Sequence, residues 1–207
     1  MADRLDVTFL PLRAVFGPAL TLAFRLKTQG REHVPRKGAA ILAANHASFL
    51  DPILIAICAK RPVRFLVSNE FYRDPRLNTV LRWLGAIPVG GDAGMIRSFR
   101  RIGDVMRGGS LLGIFPEGGI TRDGAMKPFR SGAAVLALRM GVPLVPIHVD
   151  GTFDALPRHA KWPRFVPVTV RIGNPIPVEA RRSPKSDEIA ALSESLRDAV
   201  AALAVTR

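Results

Sequence analysis

A histidine and an aspartate stand five positions apart in the stretch Asn45–Asp51, which reads Asn-His-Ala-Ser-Phe-Leu-Asp. A neutral imidazole accepts a proton near pH 7, and a neighbouring carboxylate fixes its tautomer and stabilises the imidazolium that forms. The stretch joins an apolar run, residues 39–44, to an apolar helical pattern. We place Ser48 as the N-cap of that helix and Asp51 in a capping box, in its first turn. His46 then lies just before the helix, within reach of Asp51.

Two interpretations of this stretch stay open on its residues alone. In the first, His46 is a general base and Asp51 orients it. In the second, Ser48 and Asp51 only cap a helix, and His46 is an ordinary loop residue. Ser48 is not predicted to be a nucleophile, because a capping hydroxyl is already engaged with backbone N–H groups. The chain also contains no G-x-S-x-G elbow.

A second motif, Phe115-Pro-Glu-Gly118, follows another apolar run far downstream, and it favours the first interpretation. Together with Gly85–Val89 (Gly-Ala-Ile-Pro-Val) and Val142–Pro146 (Val-Pro-Leu-Val-Pro), the motifs form four blocks over about half of the chain. Their order and content resemble the glycerolipid acyltransferase family, which includes the 1-acyl-glycerol-3-phosphate acyltransferases. Each block alone is a weak signal, but four in order are highly specific.

The resemblance implies transfer of a fatty acyl group from a thioester to the hydroxyl of a lyso-glycerolipid, with 1-acyl-glycerol-3-phosphate as the first choice of acceptor. The donor, acyl-CoA or an acyl carrier protein, cannot be chosen from the sequence, and no other cofactor or metal is expected. His46 and Asp51 are the catalytic residues that the resemblance implies. Glu117 is expected to order the site or bind the acceptor, and backbone N–H groups at Gly118 and Gly119 are candidates for steadying an oxyanion.

Three departures from the family pattern affect the expected acceptor. Ser68, Gly91 and Ile120 stand where many lysophosphatidate-acylating members carry a lysine or arginine. An acceptor phosphate needs cationic partners. Three cations further along the chain offer replacement charge: Arg122, Lys127 and Arg130. Arg122 is the first candidate. Two alternatives therefore stay open: an acyltransferase for a lysophosphatidylethanolamine-like or lyso-ornithine-type lipid, and a non-catalytic module that binds anionic lipids.

The elements that would position these residues alternate between apolar strands and helices. We predict strands at 39–44, 63–67, 86–89, 111–115, 144–149 and 166–172, and helices at 48–59, 75–84, 93–107, 132–140 and 186–205. This alternation indicates an α/β fold, a single domain with a largely parallel twisted sheet flanked by helices. His46 and Glu117 both follow a predicted strand, so they should meet at the carboxyl edge of the sheet.

The charge balance favours an anionic partner. The 207-residue chain has a formal net charge of +13. Either nucleic acid or a phospholipid surface would suit that charge. Aromatic residues are few and do not alternate with basic ones, and no zinc-finger or histidine metal-ligand spacing occurs. We therefore expect an anionic membrane surface and no nucleic acid. The one cysteine, Cys58, is expected to be a small buried hydrophobe.

The N-terminal segment is predicted to lie on a membrane rather than to cross it. Its longest uncharged run, residues 14–24, is too short to span a bilayer and is flanked by Arg13, Arg25 and Lys27. No cleavable signal is recognised. We therefore expect a membrane-surface helix in residues 1–30, an acyltransferase domain in 31–207, and a peripheral location on the cytoplasmic face of the membrane. A helix packed on the protein's own core is the alternative. The basic stretch Pro157–Pro167, which contains Trp162, is either a second membrane-touching edge or a plain connection.

Overall fold

The fold is built on one seven-stranded sheet with the order β1-β7-β6-β2-β5-β3-β4. The computed structural model describes the backbone of residues 4–59, 61–90 and 94–204, and the side chains from residue 13 onward apart from some positions in α4 and α5. All described strand pairs are parallel except β6 with β7. The strands are β1 Lys27–Gln29, β2 Ala40–Ala44, β3 Val63–Ser68, β4 Ile87–Val89, β5 Leu111–Ile114, β6 Leu144–Asp150 and β7 Thr169–Ile172.

Helices cover both faces of the sheet, so the molecule has three layers. The helices are α1 Arg4–Ala23, α2 Asp51–Cys58, α3 Asn69–Arg73, α4 Pro75–Trp83, α5 Gly94–Arg107, α6 Gly132–Met140, α7 Thr152–Ala155 and α8 Ser186–Ala202. One hydrophobic cluster packs α2 and Phe24 against one face, and a second packs α5, α6 and α8 against the other. The predicted α/β fold with a largely parallel sheet is confirmed.

The central strands explain why the sheet needs both layers. Every residue of β2 is buried, and its side chains alternate between the two clusters. Strand β5, its neighbour, is buried along its whole length as well. Strands that are buried on both faces read as continuous apolar runs, which is why both were recognisable in the sequence.

Several element boundaries differ from the prediction. Helix α2 begins at Asp51 rather than at residue 48, and β7 begins at Thr169 rather than at residue 166. Pro167 has no N–H to donate to a strand ladder, which fits the later start of β7. Helix α5 was expected from residue 93 and α8 to residue 205, two positions that lie outside the described residues. Strand β1 and the short helices α3 and α7 were not predicted.

Helix α1 lies beside α2, and the strand that follows it joins the sheet next to β7. Gly17 of α1 is buried, whereas Val15, Phe16 and Leu22 are 67%, 56% and 81% exposed. The segment thus packs in part on the protein while several large apolar side chains face outward. Among the described helices, none combines the length and apolar character needed to cross a membrane. Side chains of the predicted interfacial segment before residue 13 lie outside the described residues.

Candidate active site

His46 and Asp51 are in direct contact at the carboxyl edge of the sheet. His46 follows the end of β2, and its Nδ1 lies 2.9 Å from Oδ2 of Asp51, the first residue of α2. The Asp51 side chain is fully buried, whereas the His46 side chain is 15% exposed. Nε2 of His46 has no hydrogen-bond partner in the described part of the chain. The pair therefore has the geometry of an oriented base whose second nitrogen is without a partner among the described residues.

The Asp51 carboxylate is held by the backbone that precedes it. Its Oδ2 accepts hydrogen bonds from the N–H groups of Ala47 at 2.7 Å and Ser48 at 2.8 Å, in addition to the imidazole contact. The prediction of Ser48 as the N-cap is wrong, because α2 begins at Asp51 and its N-cap is Leu50, although the contact from Asp51 to the Ser48 N–H expected of a capping box is present. The reciprocal contact of the box differs, because the Ser48 hydroxyl accepts from the N–H of Leu50 and donates to the carbonyl of Leu156 at 2.7 Å. Ser48 therefore ties the loop to a distant segment and is not a nucleophile in this geometry.

Glu117 meets His46 through the backbone rather than through the imidazole. Its Oε1 accepts from the N–H of His46 at 2.9 Å, and its Oε2 accepts from the N–H of Lys127 at 3.2 Å. The side chain is 5% exposed. Burial raises the pKa of this carboxyl, and the two N–H donors oppose that rise. Glu117 thus joins the loop after β5 to the loop after β2, which is an ordering role.

Three aromatic rings form a column that ends at His46. The His46 ring stacks on Phe115 with centroids 3.9 Å apart, and Phe115 stacks on Phe65 of β3 at 5.7 Å. A Cβ added at Gly113 would overlap the Phe65 ring, so only glycine leaves room for the column. The sequence analysis missed this support. A glycine inside an otherwise apolar strand was the signal that could have revealed a close approach.

Asn45 closes the same edge on its other side. Its side-chain amide donates to the carbonyl of Val149 at 3.0 Å and accepts from the Val149 N–H at 2.7 Å. The amide thereby pairs the end of β2 with the end of β6 as a strand residue would. This contact gives the first residue of the motif a structural role that its position alone did not reveal.

The loop after β5 brings two of the three candidate cations into defined places. Lys127 Nζ donates to the carbonyls of Gly119 at 2.5 Å and Ile120 at 3.3 Å, so the ammonium closes the loop. Gly118 has a φ of +74°, and a Cβ there would stand 2.6 Å from the Arg130 guanidinium. The guanidinium therefore lies directly over the glycine that follows Glu117. Arg122 and Arg130 are both exposed.

The two glycines after Glu117 differ in whether their N–H groups are already engaged. The N–H of Gly118 donates to the carbonyl of Phe115 at 3.1 Å, which leaves Gly119 as the candidate oxyanion donor. Ser68 is exposed at the end of β3, and Gly91 lies outside the described residues. Within the described ranges, no three histidine, cysteine or acidic side chains cluster as metal ligands.

Comparison with known proteins identifies the family. The family model described as Acyltransferase matches residues 25–150, which is more than half of the chain and includes the His46, Asp51 and Glu117 positions. The chain therefore belongs to the acyltransferase family.

Individual relatives carry a more specific name. The 1-acyl-sn-glycerol-3-phosphate acyltransferase of Borreliella burgdorferi is 29% identical over 153 residues, covering 70% of this chain and 60% of the relative. The protein of the same name from Limnanthes douglasii is 32% identical over 73% of this chain, but over only 54% of its own length. The Bacillus subtilis protein of that name is 23% identical and is matched over 89% of its length. Among its curated relatives, this chain spans from 38% to 89% of the relative's length.

A solved structure has the same fold. The crystal structure of the 1-acyl-sn-glycerophosphate (LPA) acyltransferase PlsC from Thermotoga maritima superposes with a TM-score of 0.78, at 22% identity. The superposition covers 98% of this chain and 82% of that chain. The fold therefore extends over nearly the whole of this chain, beyond the region matched by the family model.

Proposed function

We propose that this chain is an O-acyltransferase that moves a fatty acyl group from an acyl thioester to the free hydroxyl of a lyso-glycerolipid, with 1-acyl-glycerol-3-phosphate as the first acceptor to test. The observation that carries the proposal is the 2.9 Å contact between His46 Nδ1 and buried Asp51, which leaves Nε2 of the imidazole open. Membership of the acyltransferase family and the names of the relatives support it.

The proposed reaction uses one proton transfer in each direction. His46 Nε2 takes the proton of the acceptor hydroxyl while the hydroxyl oxygen attacks the thioester carbonyl. The tetrahedral intermediate then collapses, the C–S bond breaks, and the thiolate takes the proton from the imidazolium to leave as a thiol. Asp51 stabilises the imidazolium between these steps, since its negative charge lies against Nδ1. The Gly119 N–H is the proposed donor to the oxyanion.

Arg130 is the proposed partner of the acceptor phosphate. Its guanidinium lies over Gly118, next to the residue that orders His46, and an arginine binds phosphate through two parallel N–H donors. Arg130 thus replaces Arg122, which the sequence alone favoured, as the first candidate for binding the acceptor phosphate. Lys127 already donates to two carbonyls, so only one of its three N–H bonds is open to an acceptor. Arg122 is a secondary contact, because no described contact places it beside Gly118 or Glu117 as Arg130 is placed.

An apolar rim beside the pair offers a place for the acyl chain. Phe49 lies between His46 and Asp51 in sequence and is 43% exposed. Its ring meets that of Phe71 edge-on, with centroids 6.0 Å apart, and Phe71 is 38% exposed. Large apolar side chains left exposed beside a polar pair suit a substrate with a hydrocarbon chain.

The proposed attachment to the membrane uses a second apolar edge. Leu22 near the end of α1 and Trp162 and Phe165 of the basic loop are 81%, 83% and 64% exposed. The two segments are joined, because Phe24 contacts the Phe165 ring and Arg25 donates to the Phe165 carbonyl at 3.1 Å. Exposed aromatic and apolar side chains among arginines and lysines suit the headgroup region of an anionic bilayer.

An acyl-transfer assay over a panel of lyso-acceptors tests the proposal. Lysophosphatidate, lysophosphatidylethanolamine and lysophosphatidylglycerol are each offered with an acyl-CoA and with an acyl carrier protein thioester. Arg130→Gln should raise KM for lysophosphatidate by about 10-fold or more, because a charge-assisted bidentate contact is lost, and leave KM for the donor little changed. The matched control Arg182→Gln, at an exposed position on the segment before α8, should change neither KM. No transfer to any acceptor from either donor would refute the proposal.

A further inference from the structure

A groove lies behind the candidate active site, between α1 and the far end of α2. Its volume is about 720 Å³. Cys58, the last residue of α2, and Thr28 of β1 line it, and the Thr28 hydroxyl lies 3.0 Å from the Cys58 sulfur. Asp51 lies at the opposite end of α2, so the groove is separate from the His46 pair. Its volume is in the range of sites that hold one small ligand.

The lining of the groove combines apolar walls with one sign of charge. Leu22, Leu26 and Ile57 supply apolar surface. Three arginines line it, and no acidic residue among the described side chains does: Arg13, Arg25 and Arg31. A concave surface with only positive charge attracts anions, and its apolar walls favour an anion that carries hydrocarbon.

Arg31 is the arginine whose state most needs an explanation. Its Nε is buried and has no hydrogen-bond partner among the described residues. The residue as a whole is only partly buried, but a buried N–H that lacks a partner is costly, which points to a ligand that would accept from it. By contrast, Arg13 is tied down, since its Nη1 donates to the carbonyl of Ala59 at 2.8 Å.

The backbone holds Arg31 in this place. Gly30, which precedes it, has a φ of +70°, and any Cβ there would collide with the carbonyl of Ile172. A glycine is therefore required for β1 to turn into the single 3-10 turn at Arg31–His33. His33 Nδ1 fixes the same turn from the other side, at 2.8 Å from the Ile172 carbonyl.

The groove opens beside the apolar edge proposed to meet the membrane. Leu22 lines the groove and is 81% exposed, and Arg25 lines it while donating to the carbonyl of Phe165 in the basic loop. A lipid in a bilayer under this edge would reach the groove without crossing water. Both the positive charge of the lining and the position of the groove beside the apolar edge favour an anionic lipid as the occupant.

We propose that the groove between α1 and α2 binds one anionic phospholipid drawn from the bilayer, with its phosphate on Arg31 and Arg25 and its chains along Leu22, Leu26 and Ile57. This lipid is bound and not acylated, at a place distinct from the acceptor site at His46 and Arg130. The inference that this lipid comes from a bilayer rests on the proposed attachment to the membrane. Its binding to the groove does not require acyl transfer. The occupant bridges α1 to the end of the helix that carries Asp51.

Calorimetric titration of the full chain with dioctanoyl phosphatidylglycerol, kept below its micelle concentration, tests the groove. This lipid has no unacylated hydroxyl on its diacylglycerol part. Arg31→Gln should weaken binding by about 10-fold or more. The control Arg36→Gln removes the same charge from an exposed neighbouring position outside the groove, and should leave binding unchanged.

A second pair of variants tests the cavity instead of the charge, and also covers the case in which Arg31→Gln fails to fold. Thr21→Trp fills the groove from α1 and should weaken binding similarly. Ala19→Trp adds the same ring on an exposed position of α1 outside the groove and should not. Dioctanoyl phosphatidylcholine and inorganic phosphate should both bind at least about 10-fold more weakly than the anionic lipid, because each lacks the net charge or the chains.

Three results would overturn the inference. If Thr21→Trp binds the anionic lipid as tightly as Ala19→Trp and the wild type do, the groove holds no lipid. Inorganic phosphate binding as tightly as the lipid would indicate a free-anion site. Loss of binding in Arg130→Gln would place the lipid in the acceptor site. None of these results depends on acyl transfer, so a failure of the proposed activity remains distinguishable.

Discussion

The Asp51 carboxylate concentrates its contacts on one oxygen. Oδ2 accepts from His46, Ala47 and Ser48, whereas Oδ1 is buried with no partner among the described residues. The charge also lies at the N-terminus of α2, where the helix dipole favours an anion. The structure therefore fixes a buried carboxylate against Nδ1 of His46, which is what an oriented imidazole requires.

Replacing this carboxylate should damage catalysis more than folding. Asp51→Asn keeps the size of the side chain and one acceptor oxygen for the two N–H donors, but it removes the charge that stabilises an imidazolium. We expect kcat to fall on the order of 10²-fold, less than on removal of the base itself. Steady-state kinetics and a thermal melt of the same preparation measure the two effects. A variant with wild-type kcat would show that the pair has only a capping role.

At the scale of single residues, the sequence predicted that His46 and Asp51 would pair, but it did not predict the long-range contacts around them. The spacing of His46 and Asp51 was enough to bring them together, because both lie at the entry to one helix. The spacing did not reveal that Glu117 would bind the His46 backbone, or that Ser48 would bond to Leu156, 108 positions away. Such long-range bonds depend on how loops meet after the sheet has formed, which no local pattern encodes.

The column of Phe65, Phe115 and His46 shows how three elements share the positioning of one imidazole. The rings come from β3, the loop after β5 and the loop after β2, and Gly113 of β5 provides the space. Strands β3 and β5 are hydrogen-bonded neighbours, with Phe65 opposite Gly113 in the register. A change in this register would displace Phe65 and, through Phe115, the imidazole.

Gly113→Ala tests this support. The added methyl group overlaps the Phe65 ring, and overpacking of this kind costs about 1–3 kcal/mol. For a chain of this size the melting temperature should fall by roughly 2–12 °C, and kcat should fall as His46 is displaced. Gly132→Ala is the control, since a Cβ at that position meets nothing within 4 Å. Combining Gly113→Ala with Phe65→Leu should restore part of the stability. If Gly113→Ala melts and turns over as the wild type does, the column has no positioning role.

Elements with strong local patterns were predicted, and those shaped by their neighbours were not. Strands β2 and β5 are continuous apolar runs, and helix α6 was predicted with its exact bounds, Gly132–Met140. Strand β1 has only three residues, all exposed, and no alternation, so it exists because β7 offers it a backbone to pair with. The proposed membrane role of α1 remains a prediction, to be tested by vesicle binding.

At the scale of the whole molecule, the half-buried His148 links folding to pH. His148 lies on β6, opposite Arg171 of β7 and close to Asp150, and its Nδ1 is buried with no partner among the described residues. Burial lowers the pKa of His148 below its ordinary value of 6.5, while Asp150 opposes this effect and Arg171 adds to it. The folded protein therefore prefers the neutral imidazole.

The sign of the resulting pH dependence follows from proton binding. Below about pH 6.5 the unfolded chain protonates His148 more readily than the folded chain does, so stability falls as the pH drops through this window. The melting temperature of the wild type should decrease between about pH 7.5 and pH 5.5, and His148→Gln should decrease less. His159→Gln, at an exposed position, should follow the wild type. Parallel melting curves for His148→Gln and the wild type would contradict this assignment.

The sheet, helix α2 and two loops together hold one imidazole against Asp51, with no partner for its Nε2 among the described residues. The turnover of His46→Ala with the best acceptor and donor from the panel, measured beside its melting temperature, tests whether this imidazole is the base. We predict that kcat falls by about 10²–10⁴-fold, because the general base is lost. The melting temperature should fall by only a few degrees, because the ring contact with Phe115 is worth about 0.5–1.5 kcal/mol and Asp51, although it loses the imidazole, keeps its two backbone N–H donors. Turnover of folded His46→Ala near that of the wild type would contradict the account.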